Sequence, residues 1–342
     1  MENAFPLKAQ AKEIYGAANL LLSPNEIHKD GSWIVKDKDS FLTGVFMSKA
    51  DIDAEAGKLE EMQNFCDRNR IGFLYVSYPT KSDYDIDSKT YGIDTNSEEK
   101  RKALLSELKG REIKTLDISG RMKESGYTSE DIFYKTDHHW KTPYALFATD
   151  CIAEYLQENM GAKIQTGLLS PENFAFTEHR QIWLGETGRA VSKTWTGTLD
   201  DYTEIEPDFP TSFEIGIADS DEKKTGDFSI MMDKSGYYGG NDLYQYSAHY
   251  SYKVDASKMH VKNLQAKDEC SIFLIKDSFS VPVISFLSCA ASDVYVWDMR
   301  DDNKENVYDF IKKNSIDYVI VAYSGTWMEY MFDFDSSNAT QK

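Results

Sequence analysis

Two short segments carry the residue types of nucleophilic acyl chemistry. The first is Tyr134-Lys135-Thr136-Asp137-His138-His139-Trp140. The second is Phe273-Leu274-Ile275-Lys276-Asp277-Ser278-Phe279-Ser280, an apolar run that passes straight into a helical pattern. A serine hydroxyl is a weak nucleophile until a base takes its proton, and that base is normally a histidine held in one tautomer by a carboxylate. Asp137 and His139 supply both groups two residues apart, and an extended backbone would point them to the same side. Ser278 supplies the hydroxyl, and its N–H at the amino end of the next helix can stabilise an oxyanion. Each segment also has a plainer reading. Ser278 or Asp277 can cap the helix, Asp137 can cap as well, and paired histidines ahead of a helix can be packing residues. Asp137, His138 and His139 are also metal-ligand types. The other histidines, His28, His179, His249 and His260, are scattered with no HxxxH or HxxE spacing, so neither a metal nor another cofactor is expected.

Residues so far apart in sequence need a scaffold that brings them together. Leu7 to Leu22 reads as a helix, followed by a hairpin-like piece at Gly31-Ser32-Trp33-Ile34-Val35. Asp51 to Asn69 carries apolar residues at helical spacing, and Ile71 to Val76 is a short apolar run of the kind that forms a buried parallel strand. Helix Glu98–Leu108, strand Ile113–Ile118 and helix Thr142–Asn159, with Pro143 in its first turn, continue the alternation. It resumes with strand Ser271–Lys276, helix Ser280–Cys289, strand Asp293–Trp297, helix Asn303–Asn314 and strand Asp317–Tyr323. Between the halves, strand-like alternation appears at Thr211–Ile217 and Tyr246–Val254. The expected architecture is a doubly wound parallel α/β sheet with a β-rich insertion. The expected division is an N-terminal segment 1–48, a core in two halves (49–160 and 266–330), the insertion 161–265 and a C-terminal tail 331–342. Both reactive segments then fall where open α/β sheets bind ligands, at the carboxyl ends of strands.

The chain has 342 residues, enough to bury a large core, with 38 Lys+Arg against 57 Asp+Glu for a net charge of −19. Such a surface repels phosphate backbones and anionic lipid, which argues against nucleic acid and membrane-surface partners. It argues equally against a polyanionic glycan as substrate. No stretch reaches the ~18–20 uninterrupted apolar residues of a membrane span. The first residues do not form a secretory leader, and an extracytoplasmic placement would require one removed ahead of them. Four cysteines, Cys66, Cys151, Cys270 and Cys289, have no CxxC pair and leave the redox compartment open.

The Tyr134–Trp140 stretch closely resembles the signature of the DHHW family, spelled by Asp137-His138-His139-Trp140. That family is related to alginate O-acetyltransferase-like proteins and, more distantly, to SGNH hydrolases. The resemblance extends in order through the Gly31 piece, the Ile275-Lys276-Asp277-Ser278 turn and Trp297-Asp298-Met299-Arg300. SGNH hydrolases have their Gly-Asp-Ser block first and their Asp/His block last. Here the order is reversed, as in a circular permutation, and the implied fold is SGNH/flavodoxin-like. The resemblance implies Ser278 as nucleophile, His139 as base and Asp137 as its orienter, with His138 facing away and Trp140 packing beneath. Asp277, Arg300, Gly325 and Arg189 join Trp140 as substrate or oxyanion candidates, with Arg189 in the Gly185-Glu186-Thr187-Gly188-Arg189 stretch. Arg300 can equally pair with Asp298 or Asp301.

Two departures stand out. Lys276 replaces the family glycine, and Gly325-Thr326-Trp327 lacks the oxyanion-hole asparagine, leaving a second donor unassigned. Gly240-Asn241-Asp242 spells that missing block but lies in the insertion and reads as a coincidental turn. The implied function is a serine-dependent O-acetyltransferase or acetylesterase acting on an extracellular or cell-surface carbohydrate, with a membrane-bound acyl donor as a candidate partner. The rival is a carbohydrate-binding or surface-interaction protein with a degenerate triad. The insertion's aromatics, Trp183, Trp195, Tyr237, Tyr238, Tyr244, Tyr246 and Tyr250, either stack on sugar rings or fill a small β core. The oligomeric state is left open.

Overall fold

The chain begins with helix α1 (Lys8–Leu22) and a three-stranded antiparallel sheet, β1 (Glu26–Lys29), β2 (Ser32–Lys36) and β3 (Leu42–Val45). This computed structural model describes residues 8–29, 32–37, 39, 41–45, 51–84, 97–217, 222–237, 242–254, 258–300, 306–325 and 329–335. Gly31, Tyr238, Gly240, Asn241, Asp301, Thr326 and Trp327, all singled out in the sequence, lie outside the described residues.

The first α/β half follows: α2 (Ile52–Asn69), β4 (Gly72–Tyr78), α3 (Ser97–Gly110), β5 (Thr115–Asp117), α4 (Ile118–Glu124), α5 (Ser129–Ile132) and α6 (Thr142–Met160). Local signals set these boundaries. Asp51 caps α2 by accepting from the Ala54 N–H. Asp117 accepts from the Gly120 N–H, so the chain turns helical at Ile118 and β5 ends one residue before the expected limit. Pro143 opens α6 and Gly161, at φ 72°, closes it in the left-handed region.

The segment expected as a β-rich insertion holds β6 (Phe174–Trp183), α7 (Glu186–Val191), α8 (Lys193–Thr196), β7 (Asp200–Pro207), β8 (Phe213–Ile217), β9 (Lys223–Gly226) and β10 (Lys258–Asn263). The second half adds β11 (Ser271–Lys276), α9 (Ser280–Ala290), β12 (Asp293–Asp298), α10 (Val307–Lys313) and β13 (Tyr318–Ser324). Residues 303–305 of the helix expected from Asn303 lie outside the described residues; α10 starts at Val307, capped by Asn306.

The central sheet has the order β5-β4-β13-β11-β12-β10-β8-β9. The five strands from β5 to β12 are parallel, and the last three pair antiparallel. β8–β10 therefore extend the main sheet, while β6 and β7 pair separately. Both faces are covered. Leu74 and Val76 of β4 point into one core with α6 and α9, while Phe73 and Tyr75 point into another with α2, α3 and α10. Every residue of α9 is buried, which suits a helix enclosed on all sides.

The expected strand at Tyr246–Val254 is absent. Ala248–Ser251 forms a 3₁₀ turn in which Ala248, His249 and Ser251 are buried, and Tyr252 just after it is buried too. The alternation of aromatics there reflects a loop crossing the core, since a half-exposed strand would bury only every second residue.

Candidate functional site

The site is built at the carboxyl ends of the parallel strands. β11 ends at Lys276, and the chain passes through Asp277-Ser278-Phe279 into α9. The Asp277 carboxylate shapes that turn, accepting from the Phe279 N–H (2.9 Å), the Ser324 N–H (2.6 Å) and the Ser324 hydroxyl (2.8 Å) at the end of β13. Burial raises its pKa, against these donors. Asp277 thus ties the Ser278 turn to the neighbouring strand end.

The Asp-His-His segment sits at the tip of a loop closed by the Phe133–Trp140 bridge and by Lys141 N–H to Ile132 C=O (2.7 Å). The backbone is bent from Lys135 to His139, so strand alternation does not apply. Asp137 and His139 meet through a local turn: Asp137 Oδ1 accepts both the His139 N–H (2.9 Å) and its Nδ1–H (2.6 Å). For the same reason His138 does not face away. Its partly exposed ring lies on His139 with centroids 3.8 Å apart.

Ser278 Oγ stands 2.8 Å from His139 Nε2. With Nδ1–H given to the carboxylate, Nε2 is the accepting nitrogen and the serine hydroxyl donates to it. All three side chains are buried. Burial opposes charge on Asp137, but His139 beside it and the donated hydrogen bonds outweigh this and hold the carboxyl well below its usual range. Burial, with His138 and His249 nearby, pulls His139 well below the ordinary histidine value despite Asp137. The resting arrangement is therefore carboxylate, neutral imidazole and hydroxyl, in hydrogen-bond contact and able to pass the serine proton to Nε2.

Several supports come from the middle of the chain. Asp200 is buried and accepts from the Lys135 N–H (2.6 Å), the Thr136 N–H (2.8 Å) and the Thr136 hydroxyl (2.5 Å). The Thr136 oxygen accepts from Gly185 N–H (2.6 Å), and Glu186 N–H donates to Asp137 Oδ2 (2.7 Å). A Cβ at Gly185 would lie 2.4 Å from the Asp137 Cβ, so only glycine allows this approach. Lys81, buried beyond the end of β4, donates to the carbonyls of Leu42 (2.7 Å) and Lys135 (3.3 Å), joining the N-terminal sheet to the same loop. Burial lowers its pKa to about 7.

The remaining candidates divide. Trp140 is fully buried under the site, with its Nε1–H on Phe279 C=O (3.0 Å) and its ring against Tyr78. Arg300 grips Asp298 through Nε (2.9 Å) and a second nitrogen (2.5 Å), and Lys276 reaches the same carboxylate (3.0 Å). Lys276 thus directs its charge to the carboxyl end of β12. Gly325, at φ 76°, follows Ser324 with its Cβ position 3.3 Å from Thr80. Arg189 turns its guanidinium to the Tyr246 carbonyl (2.9 Å). Trp183, Trp195 and Tyr237 are buried and pack, whereas Tyr244, Tyr246 and Tyr250 keep partial exposure. Donor atoms of Asp137, His138 and His139 are close enough to share a cation, as are those of Asp37, Asp39 and Glu130. In the first group, however, Asp137 Oδ1 and His139 Nε2 already take hydrogen bonds from one another's network.

Sequence reasoning missed His249. Its Nε2 lies 2.7 Å from the Ser278 carbonyl, and its ring stacks on His139 at 3.7 Å and 13°. No spacing connects His249 to either segment, and only the fold reveals the contact. Asp200 was missed for the same reason; Thr136 stood in the first segment, but its bonds to Asp200 and Gly185 depend on the fold.

Residues 33–226, more than half of the chain, match the family model described as "SGNH hydrolase-like domain, acetyltransferase AlgX". The chain belongs to this family. The match ends ahead of Asp277-Ser278. Comparison with curated proteins finds no match. Among solved structures, a DHHW family protein from Eubacterium siraeum DSM 15702 superposes with a TM-score of 0.66 at 16% identity, over 92% of this chain and 95% of that one. Bacillus cereus PatB1 superposes at 0.68 with 19% identity, over 91% and 100%. PatB1 with a sulfonyl adduct gives 0.67 at 18% identity, over 90% and 100%. These likenesses establish a shared fold. Among the described residues no helix is long and apolar enough to cross a membrane, and none of the four cysteines is in a disulfide.

Proposed function

We propose that this protein transfers acetyl groups to hydroxyls of a carbohydrate at or outside the cell surface, through an acyl-Ser278 intermediate. The observation that carries the reading is the Asp137–His139–Ser278 chain of hydrogen bonds at 2.6 and 2.8 Å, at parallel strand ends in a member of an acetyltransferase domain family. Ser278 Oγ attacks the acetyl carbonyl of the donor while its proton passes to His139 Nε2. The leaving group departs with that proton. A sugar hydroxyl then gives its proton to His139 and attacks the acyl-serine, and His139 returns that proton to the departing Ser278 Oγ, releasing the acetylated product and restoring both side chains. Water in place of the sugar gives hydrolysis, so the choice between transferase and esterase rests on how well the occupied site excludes it. The Ser278 N–H, at the start of α9, is the donor we assign to the oxyanion, and Arg300 is the candidate second group.

The carbohydrate is neutral or weakly charged in this reading, because a protein of net charge −19 repels a polyanion. Tyr250 is the best placed aromatic for a sugar ring, its own ring 5.9 Å from His139. A membrane-bound protein that delivers the acyl group remains part of the proposal, as does the division into a two-part core and an inserted segment. The test is turnover of an activated acetyl ester with and without neutral polysaccharide acceptors, in wild type, Ser278→Ala and His139→Ala. Serine-dependent acetylation of an acceptor supports the proposal. Equal glycan affinity in all three proteins with no turnover in any would assign a binding role instead.

A further inference from the structure

His249 touches both reacting side chains' supports while belonging to neither sequence segment. Its Nε2 is 2.7 Å from the Ser278 carbonyl, which can only accept, so that nitrogen carries the proton. Its ring lies nearly parallel to His139, with centroids 3.7 Å apart. The residue is 3% exposed, on a 3₁₀ turn that packs against α9. One rigid ring therefore spans the nucleophile's backbone and the face of the base. We propose that His249 is a positioning residue: it holds the Ser278 turn through the carbonyl and the His139 plane through stacking, fixing the 2.8 Å contact between Ser278 Oγ and Nε2. This inference rests on the serine-dependent reading above.

The chemistry favours a neutral ring there. When His139 takes the serine proton it becomes an imidazolium between two imidazoles, His138 on one side and His249 on the other. A neutral aromatic face stabilises a cation, and a protonated one repels it. Giving Nε2–H to the Ser278 carbonyl fixes the tautomer of a neutral His249, with the proton on Nε2. The other titratable groups around His139 are Asp137 and His138 on its own loop, Glu186 of α7 beyond His138 (3.8 Å), and Tyr250 beside His249.

Two variants separate the functions: His249→Gln keeps an N–H donor and loses the ring, while His249→Phe keeps the ring and loses the donor. His249→Ala removes both. The measurements are kcat, KM and the pH profile of kcat/KM on an activated acetyl ester, with a ¹⁵N NMR titration of His139. We expect kcat to fall about 10-fold in each single-function variant and about 100-fold in His249→Ala, with KM unchanged. We expect the acid limb and the His139 titration to move to higher pH in all three variants, because each removes the imidazole that helps hold the His139 pKa down. The shift should be furthest in the Gln and Ala variants, where water also reaches the ring face. Unchanged kcat and an unmoved titration would overturn the proposal, as would a loss seen only in thermal stability. If wild type shows no Ser278-dependent turnover, the serine reading fails by itself. The titration then decides for His249: a His139 pKa unmoved in His249→Ala refutes it.

Discussion

Gly185→Ala is a small change with a sharply defined consequence. The added methyl would sit 2.4 Å from Asp137 Cβ, 2.5 Å from Asp137 N and 2.6 Å from Asp137 Cα. Ordinary contact begins near 3.4 Å, so the two segments must separate by about 1 Å. The atoms met are backbone and Cβ, which no rotamer change can move. Separation also stretches Gly185 N–H to Thr136 Oγ1 and Glu186 N–H to Asp137 Oδ2, at 2.6 and 2.7 Å. Asp137 is therefore displaced where it orients His139. A 1 Å misplacement costs about 100-fold in rate, and overpacking of this kind costs about 1–3 kcal/mol in stability. The assay is kcat on an activated acetyl ester alongside denaturant unfolding. A variant that folds, loses 1–3 kcal/mol and keeps wild-type kcat would refute the argument that Gly185 holds Asp137 in place.

Asp200→Ala removes the acceptor for the Lys135 and Thr136 N–H groups and should cost about 1–3 kcal/mol for each donor left buried, with a fall in kcat, read by denaturant unfolding and ester turnover. Asp298→Asn leaves Lys276 and Arg300 without their carboxylate and should destabilise by about 3–5 kcal/mol at neutral pH, read the same way. Arg300 and Lys276 hold the Asp298 pKa at about 2 against burial, so wild-type stability from this group should fall as pH drops from about 4 towards 2, and the variant should lack that fall. Glu55 works in the opposite sense. Burial raises its pKa from 4.5 to about 8, and neither oxygen has a hydrogen-bond partner among the described residues. The folded state holds the extra proton between those values, so stability should decline as pH rises from 4.5 to 8, and Glu55→Gln should flatten that slope in urea titrations.

The reactive residue types were legible because chemistry needs few of them: a carboxylate and histidine two apart, and a serine where an apolar strand meets a helix. The parallel core was legible from runs such as Ser271–Lys276, which are apolar on both faces. The way Asp137 reaches His139 was not, because a bent loop and an extended strand can present the same i, i+2 pair. That bend also brings His138 onto His139. The role of the middle segment was hidden because β8–β10 attach to β12 through backbone hydrogen bonds, which leave no residue signature. His249 and Asp200 act across 29 and 64 residues on Ser278 and Thr136, distances at which spacing carries no information.

The central claim is that Ser278 carries the acyl group. Its most direct test is peptide-mapped mass spectrometry after brief reaction with an activated acetyl ester and acid quench, comparing wild type with Ser278→Ala and His139→Ala. The account predicts one acetyl group on the peptide containing Ser278 in wild type, none in Ser278→Ala, and strongly slowed labelling in His139→Ala. Equal labelling in all three proteins, or an acetyl group mapped to another residue, would contradict it.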